Sequence, residues 1–203
     1  MLSFFRVNAF YQIGTLLFLL LAIRLPLYLS GIPLLIPELQ WMLTGEQMNK
    51  GLMLYADIWD STAPLAAMVY AAIDGVVGRS HFTYLLVALA FSVFQIIYFN
   101  QQANRRNLFG ERGYLPGLMY MLFLNISFDC FTLSPALMAT TFLLLAFNTL
   151  IRQMDRQGAT DEVFEIGFYI SVATLFHPPS FLFLLWAVAS LLLFTGASIR
   201  QHS

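Results

Sequence analysis

The sequence predicts an all-α polytopic membrane protein: a single transmembrane domain over residues 1–203, with about six membrane-crossing helices and two juxtamembrane helices. Composition is the first reason. Hydrophobic residues make up 59% of the chain and charged residues 10%, with a mean hydropathy of +0.73. A soluble domain carries about 25% charged residues and cannot hide this much apolar surface. The second reason is that apolar runs near span length recur along the chain, with polar turns between them. The third is the placing of charge: Glu38, Glu46, Asp57, Asp60 and Asp74 all fall between the first apolar run and the second.

A crossing helix needs about 20 mostly apolar residues, with roughly 17 as a floor. The amino-terminal stretch MLSFFRVNAFYQIGTLLFLLLAIRLPLYLSG has a charged start and an apolar core. No A-x-A-like site follows it, so an uncleaved span over 9–29 is preferred to a cleaved signal peptide. Pro37 then opens a helix at its first turn, and Glu38 sits where a helix amino end favours an anion. Leu39, Met42, Leu43, Met48 and Leu52 recur at roughly helical spacing, with Glu46, Asn49 and Lys50 largely opposite. This predicts an amphipathic interfacial helix over 38–51, stopped by Gly51. After the irregular YADIWDSTAP comes a second interfacial helix over 64–77, opened by Pro64 and ended by Gly78. With Asp74 inside it, that segment is too short and too polar for a confident span. Further spans are predicted over 82–99, 130–151 and 180–198, and shorter apolar runs at 114–128 and 163–176 complete the six.

Positive charge orients this set. With a cytoplasmic amino terminus and a non-crossing 64–77, Arg6, Arg105, Arg106, Arg112, Arg152, Arg156 and Arg200 all face the cytoplasm. Lys50 and Arg79 then fall in outer loops, and Arg24 lies near the outer end of the first span. An external amino terminus with seven crossings would place the arginines equally well, but it requires the Asp74 segment to cross. The expectation is a multi-pass protein of the inner (plasma) membrane, with its amino terminus cytoplasmic and residues 38–78 outside.

The same composition excludes several function classes. A net charge of −1 provides no basic footprint for nucleic acid. Cys130 is the only cysteine, so neither an intrachain disulfide nor a Cys-based zinc site is expected. His81, His177 and His202 are far apart and no metal-ligand spacing occurs, so no metal or other cofactor is expected, although Glu38 and Asp57 could in principle share a divalent ion. The expected surroundings are the lipid bilayer and other membrane subunits.

The order of elements from Glu38 to Gly78 carries a resemblance. An acid follows the first span, then an amphipathic helix, then Gly51, Tyr55, Asp57 and Asp60, then Pro64 and Leu65, and a second helix ending at Gly78. This resembles the first extracytoplasmic loop of the GT-C glycosyltransferases. They are polytopic enzymes that use polyprenyl-phosphate-linked sugars, among them protein mannosyltransferases and the aminoarabinose transferases of lipid A. Over most of its length the chain is similar to the amino-terminal module of that family. It departs at two turns: in SFDCFTLSP Ser134 stands where an Asp-Pro would align, and in LFHPPSFLFLLW His177 lies near the position of a lysine. The closing HPPSFLFLLWAVASLLLF also resembles multi-span inner-membrane proteins of Bacteroidota-type bacteria.

The GT-C resemblance implies transfer of a sugar from a polyprenyl-phosphate carrier on the extracytoplasmic face. Such a reaction needs a carboxylate at the acceptor and a cation at the phosphate leaving group. By resemblance, Glu38 would be the base, Asp57 and Asp129 supporting carboxylates, and Arg24, Tyr55, Asp60, Arg79 and His177 substrate-binding residues. Plainer roles stand beside these. Arg24 can snorkel to the interface, His177 before two prolines can be a turn residue, Asp60 can cap a helix, and an acidic loop can be merely solvated. Two further expectations belong to other classes: a non-catalytic subunit of a larger membrane complex on a GT-C-like scaffold, and a transporter. The second lacks the internal repeat and paired broken helices of transporters.

Overall fold

The computed structural model describes residues 11–29, 35–110, 113–155 and 160–201. Arg6, Arg112 and Arg156 lie outside the described residues, as do the first two positions of the predicted span over 9–29. The described chain forms eight α-helices: α1 Tyr11–Leu29, α2 Ile36–Asn49, α3 Pro64–Val77, α4 His81–Arg105, α5 Leu115–Leu124, α6 Pro135–Asp155, α7 Thr160–Phe176 and α8 Leu182–Gln201. Single 3-10 turns at Phe128–Cys130 and Pro178–Phe181 lead into α6 and α8.

The all-α class stands, but the six spans are corrected. Only two described helices, His81–Arg105 and Pro135–Gln153, are both long and apolar enough to cross a membrane. Their most apolar stretches are 33% and 44% buried, so each also presents an apolar face outward. The predicted span over 114–128 is a helix of 10 residues, about 15 Å long at 1.5 Å per residue against a hydrocarbon core of about 30 Å. It stops because Asn125 turns its Nδ2 back onto the Met121 carbonyl (2.7 Å). The predicted span over 163–176 is the greater part of α7, whose 17 residues include Asp161, Glu162 and Glu165. Among the described residues, Gln12–Pro26 of α1 and Pro178–Leu193 at the carboxyl end are apolar stretches shorter than these two. The predicted span over 130–151 begins later, at Pro135, where Ser134 Oγ accepts the Leu137 N–H (3.0 Å) and caps the helix. The two juxtamembrane helices form at 36–49 and 64–77.

Side-chain bonds fix how the helices run. Gln95 Nε2 of α4 donates to the Leu137 carbonyl and to Thr141 Oγ1 of α6, both at 2.8 Å. Eleven residues further along each helix, Arg106 Nη2, just past the end of α4, donates to the carbonyl and Oδ1 of Asn148 of α6, both at 3.0 Å. α4 and α6 therefore run parallel. Between them α5 returns antiparallel to α4, since the Gly117 N–H donates to Asn100 Oδ1 (3.0 Å) and Tyr120 OH to Gln95 Oε1 (3.0 Å). α7 turns back along α6: Phe142 stacks on Phe176 at one end, and Arg152 pairs with Glu162 and Glu165 at the other.

Three apolar clusters fill the interior. Met42, Tyr70, Tyr84, Leu137 and Ala173 join α2, α3, α4, α6 and α7. Leu16, Leu20, Ile96 and Met121 join α1, α4 and α5. Leu150, Ile166, Ile170 and Ala187 join α6, α7 and α8. Small residues at 0–1% exposure, Ala66, Ala67, Ala88, Ala146 and Ala173, sit at the crossings and let backbones approach closely.

Candidate functional site

The acids between α1 and α4 hold α2, the 50–63 link and α3 together. Glu38 is buried, and its Oε2 accepts the N–H of Leu35 (3.0 Å) at the amino end of α2, the acid half of a capping box. Asp60 accepts from Gln40 Nε2 (2.5 Å), Thr44 Oγ1 (2.5 Å) and Thr62 Oγ1 (2.7 Å), so it ties the link to α2. Burial raises its carboxyl, but the hydrogen bonds from Thr44, Thr62 and Gln40 outweigh that and hold it below the ordinary range. Glu46 pairs with Lys50 (2.6 Å) and with Arg79 (2.9 Å), chiefly Lys50 lowering its carboxyl. Asp74 of α3 accepts from Asn49 Nδ2 of α2 (2.8 Å). Asp57 accepts the N–H of Met53 (2.9 Å), within its own turn. Tyr55 sits in that turn at φ 68°, a left-handed conformation costly for a tyrosine. Its hydroxyl donates to the Thr62 carbonyl (2.6 Å), and its N–H to the Ile58 carbonyl (3.1 Å).

A different arrangement surrounds Arg24. The side chain is 0% exposed, in the last turns of α1. Nε donates to Asn125 Oδ1 (3.0 Å) and Nη2 to the Cys130 carbonyl (2.8 Å), while the guanidinium lies 5.3 Å from the centre of the Phe131 ring. Nη1 has no hydrogen-bond partner, and no carboxylate pairs with Arg24 among the described residues. A buried guanidinium without a counter-ion is costly, and its open N–H is a donor suited to an anion. Asp129 is exposed, one residue from the carbonyl that Arg24 binds. The Cys130 thiol lies within electrostatic reach of both Arg24 and Asp129, and burial pushes it up, so it stays protonated and is no activated nucleophile.

The eight sequence-predicted residues thus fall into separate groups. Tyr55 and Asp60 belong to the link beside α2, with Asp57 at its tip. Arg79 is exposed and bound to Glu46. Arg24 binds the carbonyl of Cys130, the residue that follows the exposed Asp129. Glu38 stands apart at the start of α2, near Tyr70, whose hydroxyl is pushed up chiefly by burial and further by the Glu38 charge. His177 is half-buried at the end of α7, its N–H on the Ala173 carbonyl (2.8 Å) and its carbonyl receiving the Ser180 N–H (2.9 Å) of the 3-10 turn. No hydrogen bond or ion pair joins these groups among the described residues. No group of three His, Cys, Asp or Glu that could hold a metal occurs among them either. Sequence reasoning missed Asn125, the partner that shapes the Arg24 pocket. A lone amide at the end of an apolar run was the available signal. It also missed Gln40 and Thr44, one turn apart on α2 and aimed at Asp60. No family model, curated protein or solved structure matches this chain.

Proposed function

We propose that the protein is a multi-pass inner-membrane component on a scaffold like the first module of GT-C glycosyltransferases, and that it works without being the transferase itself. The observation that carries this is the state of Glu38: the carboxylate the resemblance makes the base is buried and spent on capping its own helix. A cytoplasmic carboxyl end for α4 and α6 is part of the proposal. It is supported by their parallel run, which gathers Arg105, Arg106 and Arg152 at one end and leaves Arg79 at the other.

The test compares wild type with Glu38→Gln in membranes supplied with a polyprenyl-phosphate-linked sugar. A glutamine oxygen can still accept the Leu35 N–H, so membrane abundance is expected to hold. Sugar transfer and the set of co-purifying membrane proteins should also be unchanged. Loss of transfer at normal abundance would overturn the proposal.

A second reading, a transferase centred elsewhere, is favoured by one observation: the buried Arg24, with its open Nη1, binds the Cys130 carbonyl next to the exposed Asp129. It requires Arg24→Met and Asp129→Asn each to abolish transfer without lowering abundance.

A further inference from the structure

A cavity of about 290 Å³ opens between α1, the carboxyl-terminal half of α4 and the start of α5. Ile13 and Leu17 of α1 and Ile97 of α4 give it an apolar wall. Its polar side is made of Asn100, Gln101, Asn104, Arg105 and Tyr114, so among the described residues it holds one cation and no acid. Arg105 is exposed and pairs with no carboxylate among the described residues. Asn100 uses its Oδ1 on the Gly117 N–H (3.0 Å), which leaves its Nδ2 donors uncommitted. The carboxyl end of α4 disfavours an anion by its dipole. The amino end of α5, reached through Tyr114, works the other way. A second, much smaller cavity beside Arg106 and Asn148 has a volume of about 20 Å³ and room for a single water.

We propose that the larger cavity is a lipid site: part of one acyl chain lies along Ile13, Leu17 and Ile97, and the phosphate of an anionic phospholipid meets Arg105. A volume of 290 Å³ is at the small end of ligand sites, which run from about 300 Å³ upward, and so suits a segment of one chain rather than a whole lipid. A basic side chain over an apolar groove at the membrane face is suited to the acidic headgroup of a bilayer lipid. The site rests on the proposal that α4 crosses the membrane.

The test follows thermal unfolding of the full chain in neutral detergent as phosphatidylglycerol, phosphatidylcholine or inorganic phosphate is added. Phosphatidylglycerol should raise the midpoint, and the other two should not. Arg105→Gln, on an exposed residue, should weaken the apparent affinity for phosphatidylglycerol about fivefold, the worth of one basic side chain near an acidic lipid. Ile97→Trp, which fills the apolar wall, should remove the shift. An equal response to phosphatidylcholine, or to phosphate alone, would overturn the lipid site. So would a phosphatidylglycerol response untouched by Arg105→Gln. Carbonate extraction separates the two levels. A wild-type protein that stays in the membrane but ignores phosphatidylglycerol loses only this site, whereas one released by carbonate loses the membrane reading itself.

Discussion

Asp60 shows what the acids of this chain do one residue at a time. Its two oxygens take hydrogen bonds from Gln40, Thr44 and Thr62, so a single carboxylate fastens the link to the face of α2. Charge-assisted bonds of this kind are stronger than neutral ones, and an amide in their place cannot accept at both ends. Asp60→Asn is expected to cost about 1 kcal/mol, read from the thermal midpoint at pH 7. The pH dependence has a definite sign. The folded carboxyl lies below its unfolded value of about 3.9, so the stability it adds is fully present above that value and is lost as pH falls through the folded one. The gap between wild-type and Asp60→Asn midpoints should therefore stay constant from pH 7 to about pH 4 and close below that. A gap that closes between pH 7 and pH 5 would mean that another group is responsible. The sequence offered Asp60 as a cap or a ligand. Besides Thr62, two positions on, its partners lie sixteen and twenty positions back on α2, where only the folded chain brings them within reach.

At the scale of elements, α2 and α3 pack so closely that one glycine decides their distance. A Cβ at Gly45 would stand 2.7 Å from the Tyr70 carbonyl carbon and 2.9 Å from the Ala71 nitrogen. Both are backbone atoms of α3 and cannot swing aside, so Gly45→Ala must push the helices apart. The cost should be about 1–3 kcal/mol, as for other overpacked contacts. Gly167→Ala in α7 is the control. Nothing lies within 4 Å of its new methyl, and it should be neutral or stabilising by up to about 1 kcal/mol. Equal losses in the two variants would sink the close-packing account. α3 was legible to the residue because Pro64 and Gly78 bracket it, each acting on its own backbone. The lengths of α5 and α6 were not legible from apolarity. α5 stops at Asn125, where the amide turns back onto Met121 and receives Arg24, a hundred and one positions away. α6 waits for Ser134 and Pro135 although the apolar run begins earlier. Apolarity marks where a chain avoids water, while hydrogen bonds at the ends mark where a helix begins and stops.

For the whole molecule the same distinction separates membrane character from span count. Composition and the recurring apolar runs pointed to lipid contact, and two helices meet the length and apolarity a crossing requires. The other runs are divided by turns or carry acids, so they pack as shorter helices around those two. Because α4 and α6 run parallel, with α5 returning between them, the basic ends of both lie on one side. Lys50, at the end of α2, belongs with Glu46 and Arg79 near the opposite end of α4. Cysteine labelling tests this directly, in a Cys130→Ser background that removes the native thiol. Lys50→Cys should react with a membrane-impermeant maleimide in intact cells. Arg105→Cys, also exposed, should react only after the membrane is opened. The Lys50 side chain is 64% exposed and Arg105 is exposed as well, so silence cannot be put down to burial. If both positions react from the same side, α4 does not cross, and the membrane orientation and the lipid site at Arg105 fall together. If Arg105→Cys alone is labelled in intact cells, α4 crosses with the opposite sense. In that case the basic ends face outward, against the usual distribution of arginine, and the resemblance to an extracytoplasmic GT-C loop loses its support.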